Sequence, residues 1–278
     1  MAKKQVIENA ADDVALSIDI TEEIINEDTP YQHILIANSK SYGKLLLLDH
    51  LFMCSEKDGY IGSEMITHIS MNTGFAKKQV LVIGGGDGRT VGELLKYKDL
   101  ESIDVIDIDE KVVEYMKKYF PKVKENLENP KVHLHITDGL KYMRENKGKY
   151  DVIFMTSTDP IGVSLPLFTD EFYDLCEESL TKNGIFLTDA YMPYYADGPI
   201  NYATMYKKVK EHFKITKLYT ATVPIFPGGL FSWVVGSKKY DPENDILPFN
   251  PPGCKYYNRQ LHHSCFTLPQ FMLDKINT

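Results

Sequence analysis

The stretch Gln79-Val80-Leu81-Val82-Ile83-Gly84-Gly85-Gly86-Asp87-Gly88-Arg89 decides the fold of this chain. Val80 to Ile83 is a short, uninterrupted apolar run, the pattern of a parallel strand buried on both faces. Glycines at 84, 85, 86 and 88 follow at once, and a helical pattern runs from Thr90 to Tyr97. Strand, Gly-rich turn and helix together form the opening unit of a doubly wound α/β fold that binds nucleotides. The glycines let the backbone turn sharply and approach a ligand closely. Two familiar motifs are excluded. Arg89 stands at the sixth position, so G-x-G-x-x-G is not met, and no Gly-Lys-Ser/Thr follows as a P-loop requires. Asp87, inside the loop, would repel a phosphate and suits an amine or a sulfonium.

The next run, Ile103 to Ile106, is apolar but for Asp104 and ends in Asp107. An acid about 20 residues after the glycines is where such folds bind ribose hydroxyls. Asp107 is also placed to cap the helix that Glu110-Lys111-Val112-Val113 begins. Further strands are expected at Val132–Ile136, Val152–Met155 and Ile185–Thr188, and helices at Glu110–Tyr119, Leu140–Arg144, Thr169–Leu180 and Asn201–Phe213. Alternating strands and helices imply a parallel sheet. Right-handed crossovers then bring the C-terminal ends of the strands to one rim. Asp87, Asp107, Asp138, Asp159 and Asp189 all fall at that rim. Five acids in register predict a site for cationic groups and ribose hydroxyls.

Outward from this sheet, residues 1–75 read as a small β-rich domain and 76–278 as the larger one. In the first, Ala15–Ile20, Tyr31–Ala37 and Lys44–Leu48 are strand-like, Ser41-Tyr42-Gly43 is a turn, and Tyr60–Met71 has helical spacing. At the other end, Ile215–Thr222 and Phe231–Val235 read as antiparallel strands across the Pro-rich segment 224–229. His262 and His263 have no nearby carboxylate in sequence and read as structural.

The net charge of −8 argues against nucleic acid as a partner and suits a cationic substrate. The four cysteines form no C-x-x-C pair, so no metal site is expected, and they read as reduced thiols of a cytoplasmic protein. No signal peptide is evident, and no apolar run approaches the ~20 residues that span a bilayer.

From Pro30 to Pro269 the chain resembles the spermidine synthases, the polyamine aminopropyltransferases. The resemblance rests on Tyr31-Gln32, Ser41-Tyr42-Gly43, Glu56-Lys57-Asp58, Gly84 to Gly88, Ile108-Asp109, Thr137-Asp138-Gly139, Thr158-Asp159-Pro160-Ile161-Gly162, Leu167-Phe168 and Tyr256-Tyr257-Asn258 with His262. It implies a small N-terminal β domain before a Rossmann-like sheet of the class I S-adenosylmethionine type, assembled as a homodimer or homotetramer. It implies decarboxylated S-adenosylmethionine as donor, an amine acceptor and no metal. By resemblance, Gln32 and Asp107 would reach the donor ribose, Asp138 with Gly139 the adenine, and Asp87 the ammonium of the aminopropyl tail. Gly84 and Gly86 would form the donor loop.

The acceptor side departs from the family. Thr156 stands where the family carries its base, and a hydroxyl cannot do that work near neutral pH. Gly62-Ser63-Glu64 replaces Tyr-His-Glu or Tyr-Gln-Glu. Asp189 and Met53 each replace a Gln, Phe226 a Tyr, Arg89 a Gly and Asp107 a Glu. Asp159, which holds the amine in the family, is retained, and Asp189 is the candidate for the missing acid. The leading expectation is therefore an aminopropyltransferase with a rebuilt acceptor pocket. Two alternatives stand beside it. One is alkyl or methyl transfer from intact S-adenosylmethionine, with Arg89 on the donor carboxylate, as the scaffold's plant putrescine N-methyltransferases allow. The other is an inactive protein that binds the donor.

Overall fold

The computed structural model describes residues 4–156, 162–195 and 198–278. The chain opens with an antiparallel hairpin, β1 (Lys4–Ala11) and β2 (Val14–Ile20). A four-stranded antiparallel meander follows: β3 (Glu22–Asp28), β4 (His33–Ser39), β5 (Gly43–Leu48) and β6 (Leu51–Ser55), in that order. Asp49 and His50 join β5 to β6 with positive φ at both residues, the conformation that lets a two-residue turn follow the twist of its strands. Neither β1 nor β3 stands out in the sequence, for physical reasons. In β1 the buried positions are Val6 and Glu8 while Ile7 faces out, which inverts the usual alternation. β3 is an edge strand rich in acids that buries no residue fully.

The rest of the chain builds a seven-stranded sheet. Its elements are α1 (Gly59–Met71), β7 (Gln79–Ile83), α2 (Arg89–Leu94), β8 (Ser102–Asp107), α3 (Glu110–Tyr119), α4 (Pro121–Leu127), β9 (Val132–Ile136), α5 (Gly139–Arg144), β10 (Tyr150–Met155), α6 (Asp170–Ser179), β11 (Leu180–Tyr191), α7 (Tyr202–His212), β12 (Ile215–Thr222), β13 (Leu230–Ser237), α8 (Arg259–Ser264) and α9 (Gln270–Asn277). The strand order is β12-β13-β11-β10-β7-β8-β9. The five strands from β9 to β11 run parallel, and β13 pairs antiparallel with both β11 and β12. Consecutive residues of β7 pack on opposite faces: Val80 and Val82 join one core, Leu81 and Ile83 the other. A strand covered on both faces takes apolar residues, so β7 and the Val152–Met155 part of β10 read as runs, whereas β8 buries Asp104 against Lys149 and Tyr150 and the edge strand β9 alternates apolar residues with His133 and His135.

α4 begins where Pro121 ends α3. The residue before a proline is biased away from the helical region, while proline itself suits the first helical position. Two helices therefore follow one another, and α4 lies beyond the helix expected at Glu110–Tyr119. α1 packs against α2 and over β10 to β12. The Glu64 carboxylate on α1 accepts the backbone N–H groups of Lys255, Tyr256 and Tyr257 at 2.8–2.9 Å, which fixes the C-terminal segment. His262 is fully buried, between the Tyr257 hydroxyl at 2.6 Å and the Pro242 carbonyl at 2.8 Å. Burial pushes its pKa down to about 4, so it stays neutral. All four cysteines are free, and three of them are buried.

Candidate active site

The sheet turns at β7. From there β8 and β9 extend one way, and β10 and β11 the other. Strand ends part at such a point, and ligands bind in the crevice. One pocket occupies it, lined by Asp87, Arg89, Asp107, Asp138, Thr156 and Asp189. The structure therefore brings together four of the five rim acids read from the sequence. The fifth, Asp159, lies outside the described residues.

Three glycines shape the loop. Gly84 has φ +75° and its N–H donates to the Ile106 carbonyl at 2.9 Å, so the loop leans onto β8. At Gly86 a Cβ would lie 2.3 Å from the Asp107 Oδ2 atom. Only a glycine there lets the backbone N–H reach that carboxylate, which it does at 2.8 Å. Gly88 precedes α2 with φ +64°.

Asp107 ends β8. Its Oδ2 accepts the Gly86 N–H and its Oδ1 the Asp109 N–H, at 2.8 and 2.9 Å. Each oxygen keeps a lone pair for a further donor. Burial pushes the Asp107 pKa up to about 6, against these two hydrogen bonds, which favour its charge. Asp107 does not cap α3. Asp109 does, accepting the Lys111 N–H at 3.0 Å. Its other oxygen accepts the Thr29 hydroxyl at 2.8 Å and the Gln32 amide at 3.0 Å. Gln32 lines the pocket, with one side-chain N–H donated to Asp109 and, among the described residues, its second N–H and carbonyl oxygen left for a ligand. Asp109 was missed as a bridge between β8 and the segment before β4. Its partners are 80 and 77 residues away, so no local pattern signals it.

Asp138 and Gly139 stand at the β9 end of the pocket, where Asp138 also caps α5 through the Lys141 N–H at 2.8 Å. Gly139 lies close to Ile83 and Leu167.

Toward β10 the pocket changes character. Asp87 and Arg89 form an ion pair, with Nη2 and Nε 2.6 and 2.8 Å from Asp87 Oδ2. The backbone N–H of Arg89 also donates to Asp87 Oδ1 at 3.0 Å. The guanidinium reaches the Met53 carbonyl at 3.2 Å and the Gly59 carbonyl at 3.4 Å. Burial works against its charge. The Asp87 carboxylate, with Cys54 and Asp189, outweighs that and holds the Arg89 pKa above its ordinary value. Arg89 thus turns into the pocket wall and not out to solvent.

Thr156 continues β10 by donating its N–H to the Ile83 carbonyl at 2.9 Å, and its hydroxyl faces the Ile83 and Gly84 carbonyls. Asp189 lies within β11, opposite Trp233, and not after the strand. Two residues on, Tyr191 has φ +67°, an uncommon conformation for a side chain of that size. The far wall is apolar, built from Ile66, Val223, Ile225, Phe226 and Phe231. A Cβ added at Gly62 would meet nothing within 4 Å, so the wall is open there. Asp58, before α1, accepts the Ile225 N–H at 2.8 Å and ties the 224–229 loop to the β6–α1 junction. Glu8 of β1 also lines the pocket, and its carboxylate accepts the Phe52 N–H at 2.6 Å.

Comparison with known proteins extends this geometry. A family model described as the spermine/spermidine synthase domain matches residues 60–247, and one described as the spermidine synthase tetramerisation domain matches residues 5–56. A polyamine aminopropyltransferase of Alkaliphilus oremlandii (strain OhILAs) is 42% identical over 271 residues, covering 96% of this chain and 95% of that protein. One from Thermoanaerobacter sp. (strain X514) is 40% identical over 268 residues, covering 96% of each chain. The crystal structure of a spermidine synthase in complex with the transition-state analogue AdoDATO superposes with a TM-score of 0.94 at 32% identity, over 99% of this chain and 95% of that one. The spermidine synthase of Thermotoga maritima gives 0.92 at 31% identity, over 99% and 94%.

Proposed function

We propose that this chain, which belongs to the spermine/spermidine synthase family, transfers an aminopropyl group from decarboxylated S-adenosylmethionine to a di- or polyamine. The observation that carries the reading is one pocket, at the switch point of the sheet, running from Asp138 and Asp107 past Asp87 to Asp189. A nucleoside laid along that rim has its adenine toward β9, its ribose on Asp107 and its sulfonium substituents toward β7 and β10.

The reaction is an in-line displacement. The lone pair of the neutral acceptor nitrogen forms a bond to the carbon beside the sulfonium. The carbon–sulfur bond breaks, its electron pair stays on sulfur, and neutral methylthioadenosine leaves. The sulfonium is already a good leaving group, so the protein supplies alignment and removal of a proton. An alkylamine has a pKa near that of lysine, ~10, and arrives protonated. A carboxylate must orient it and help it lose that proton. We assign this role to Asp189, with Asp159 holding the amine, because Thr156 offers only a hydroxyl. The opening at Gly62 and the apolar wall favour an acceptor bulkier than the shortest diamines.

The family model over residues 5–56 supports a homotetramer, assembled through the N-terminal β domain. No helix among the described residues is long and apolar enough to cross a membrane. With the net charge of −8 and four free thiols, this supports a cytoplasmic enzyme of small molecules that binds neither nucleic acid nor membranes. The test is to incubate the protein with decarboxylated S-adenosylmethionine and a panel of amines. At least one amine is expected to gain an aminopropyl group by mass spectrometry. No product with any amine would reject the assignment.

A further inference from the structure

Order along the rim fixes which residues meet which part of the donor. β9, β8, β7 and β10 are neighbours in that sequence. With the ribose over Asp107 at the end of β8, the chain beyond the sulfur lies over the loop after β7, against Asp87 and Arg89. A cationic tail calls for an unpaired carboxylate there. The structure holds a carboxylate already matched by a guanidinium, so the pair together carries no net charge. Its attraction for a lone ammonium is correspondingly reduced.

The guanidinium does not depend on Asp87 alone. The Met53 and Gly59 carbonyls, from β6 and the start of α1, fix its position. Gly59 leaves room for it, since a Cβ there would lie 3.1 Å from Nη1. A guanidinium has five N–H donors. Its Nε–H donates to Asp87, one Nη2 N–H to Met53 and one Nη1 N–H to Gly59, while Nη2 also lies in ion-pair contact with Asp87 Oδ2. One Nη1 N–H remains without a partner among the described residues. Among the described residues Asp87 Oδ1 accepts the Arg89 backbone N–H alone and keeps a lone pair. Both side chains keep about a quarter of their surface exposed, at the pocket. A free cationic donor beside a free anionic acceptor matches a group that carries a carboxylate beside an ammonium.

We propose that the Asp87–Arg89 pair makes the donor-tail subsite a receptor for an α-amino carboxylate, so that it takes intact S-adenosylmethionine as well as the decarboxylated form. The inference rests on the donor-site reading above. It makes Arg89 a residue of donor specificity. The ammonium of the bound tail lies on Asp87 and the carboxylate on Arg89, in charge-assisted hydrogen bonds at both ends.

Calorimetry with three ligands tests it: methylthioadenosine, which has no charged tail, decarboxylated S-adenosylmethionine, and S-adenosylmethionine. In the native protein the two sulfonium donors are expected to bind within about tenfold of each other. Arg89→Gly should weaken S-adenosylmethionine by ~10- to 100-fold, the worth of hydrogen bonds between charged groups, and leave methylthioadenosine unchanged. Arg89→Lys keeps the charge without the fork and should fall between. It decides the question if Arg89→Gly no longer binds methylthioadenosine and has therefore lost its fold. S-adenosylmethionine bound more than ~100-fold more weakly than the decarboxylated donor by the native protein, or equally well before and after both substitutions, would overturn the proposal while leaving the donor site intact. Failure of the native protein to bind methylthioadenosine would overturn the donor-site reading and this inference with it.

Discussion

Three positions of the pocket, Asp107, Asp189 and Thr156, each make a separate expectation. Asp107 is held near pKa 6 by burial, whereas an unfolded aspartate titrates near its ordinary value of ~3.9. The folded protein therefore retains a proton that the unfolded chain releases. Without ligand, stability falls as pH rises from about 4 to about 6 and is level above that. Donor binding has the opposite sign, because ribose hydroxyls donate to the charged carboxylate. Methylthioadenosine affinity is expected to be constant above pH 6 and to drop up to tenfold per unit below it. A flat calorimetric profile from pH 7.5 to 5 would show that the ribose lies elsewhere. Asp107→Ala should cost ~1.5–3 kcal/mol of that affinity. Asp189→Asn should cut turnover ~10²- to 10⁴-fold, the range for a positioned base, with methylthioadenosine binding unchanged; native turnover would return the role to another group. Thr156→Asp is the reciprocal change: in an amine-panel assay putrescine-directed activity appears or rises if the chain has merely lost its base, whereas putrescine stays inert and the native reaction is disturbed if the pocket serves a different acceptor. The rim acids were legible because strand ends and acids coincide in sequence. Two things were not. Asp109, and not Asp107, caps α3, since the two acids lie two residues apart and only the path of the backbone separates them. Arg89 turns inward, because the carbonyls that draw it come from Met53 and Gly59, some 30 residues upstream.

At the scale of elements, the Gly-rich loop and the C-terminal segment are each held by one carboxylate. Gly86→Ala would place a Cβ 2.3 Å from Asp107 Oδ2. Because the obstruction displaces the carboxylate itself, methylthioadenosine affinity should fall about as far as in Asp107→Ala. Glu64→Ala would strip three backbone N–H groups of their acceptor. Leaving buried donors unpaired costs about 1–3 kcal/mol each, so urea denaturation should show several kcal/mol lost; a loss under 1 kcal/mol would mean that water replaces the carboxylate. The central parallel strands could be read from the sequence because both their faces are buried and the runs Val80–Ile83 and Val152–Met155 are unbroken, whereas β8 is interrupted by the buried Asp104 and the edge strand β9 alternates apolar residues with His133 and His135. The N-terminal strands could be read where both faces are buried, as in β4 and β5, and where apolar and polar residues alternate, as in β2. β1 turns Glu8 inward and Ile7 outward, a pattern whose cause is tertiary.

For the molecule as a whole, the N-terminal β domain and the large sheet both serve the pocket: Gln32, Met53 and Glu8 come from the first, the rim acids from the second. The proposed homotetramer predicts a particle of four times 31.8 kDa by light scattering; a monomer at micromolar concentration would contradict it. The overall organisation was legible because it follows from the order of strands and helices. The acceptor was not, because the residues that shape its pocket come from five separated segments. The central claim is that the three-carbon amine tail, and no other substituent of the sulfonium, moves to an acceptor nitrogen. Decarboxylated S-adenosylmethionine labelled with heavy isotope in that tail tests it most directly. The account predicts a labelled amine product and unlabelled methylthioadenosine in equal amounts. A methylated amine, or label remaining with the nucleoside product, would contradict it.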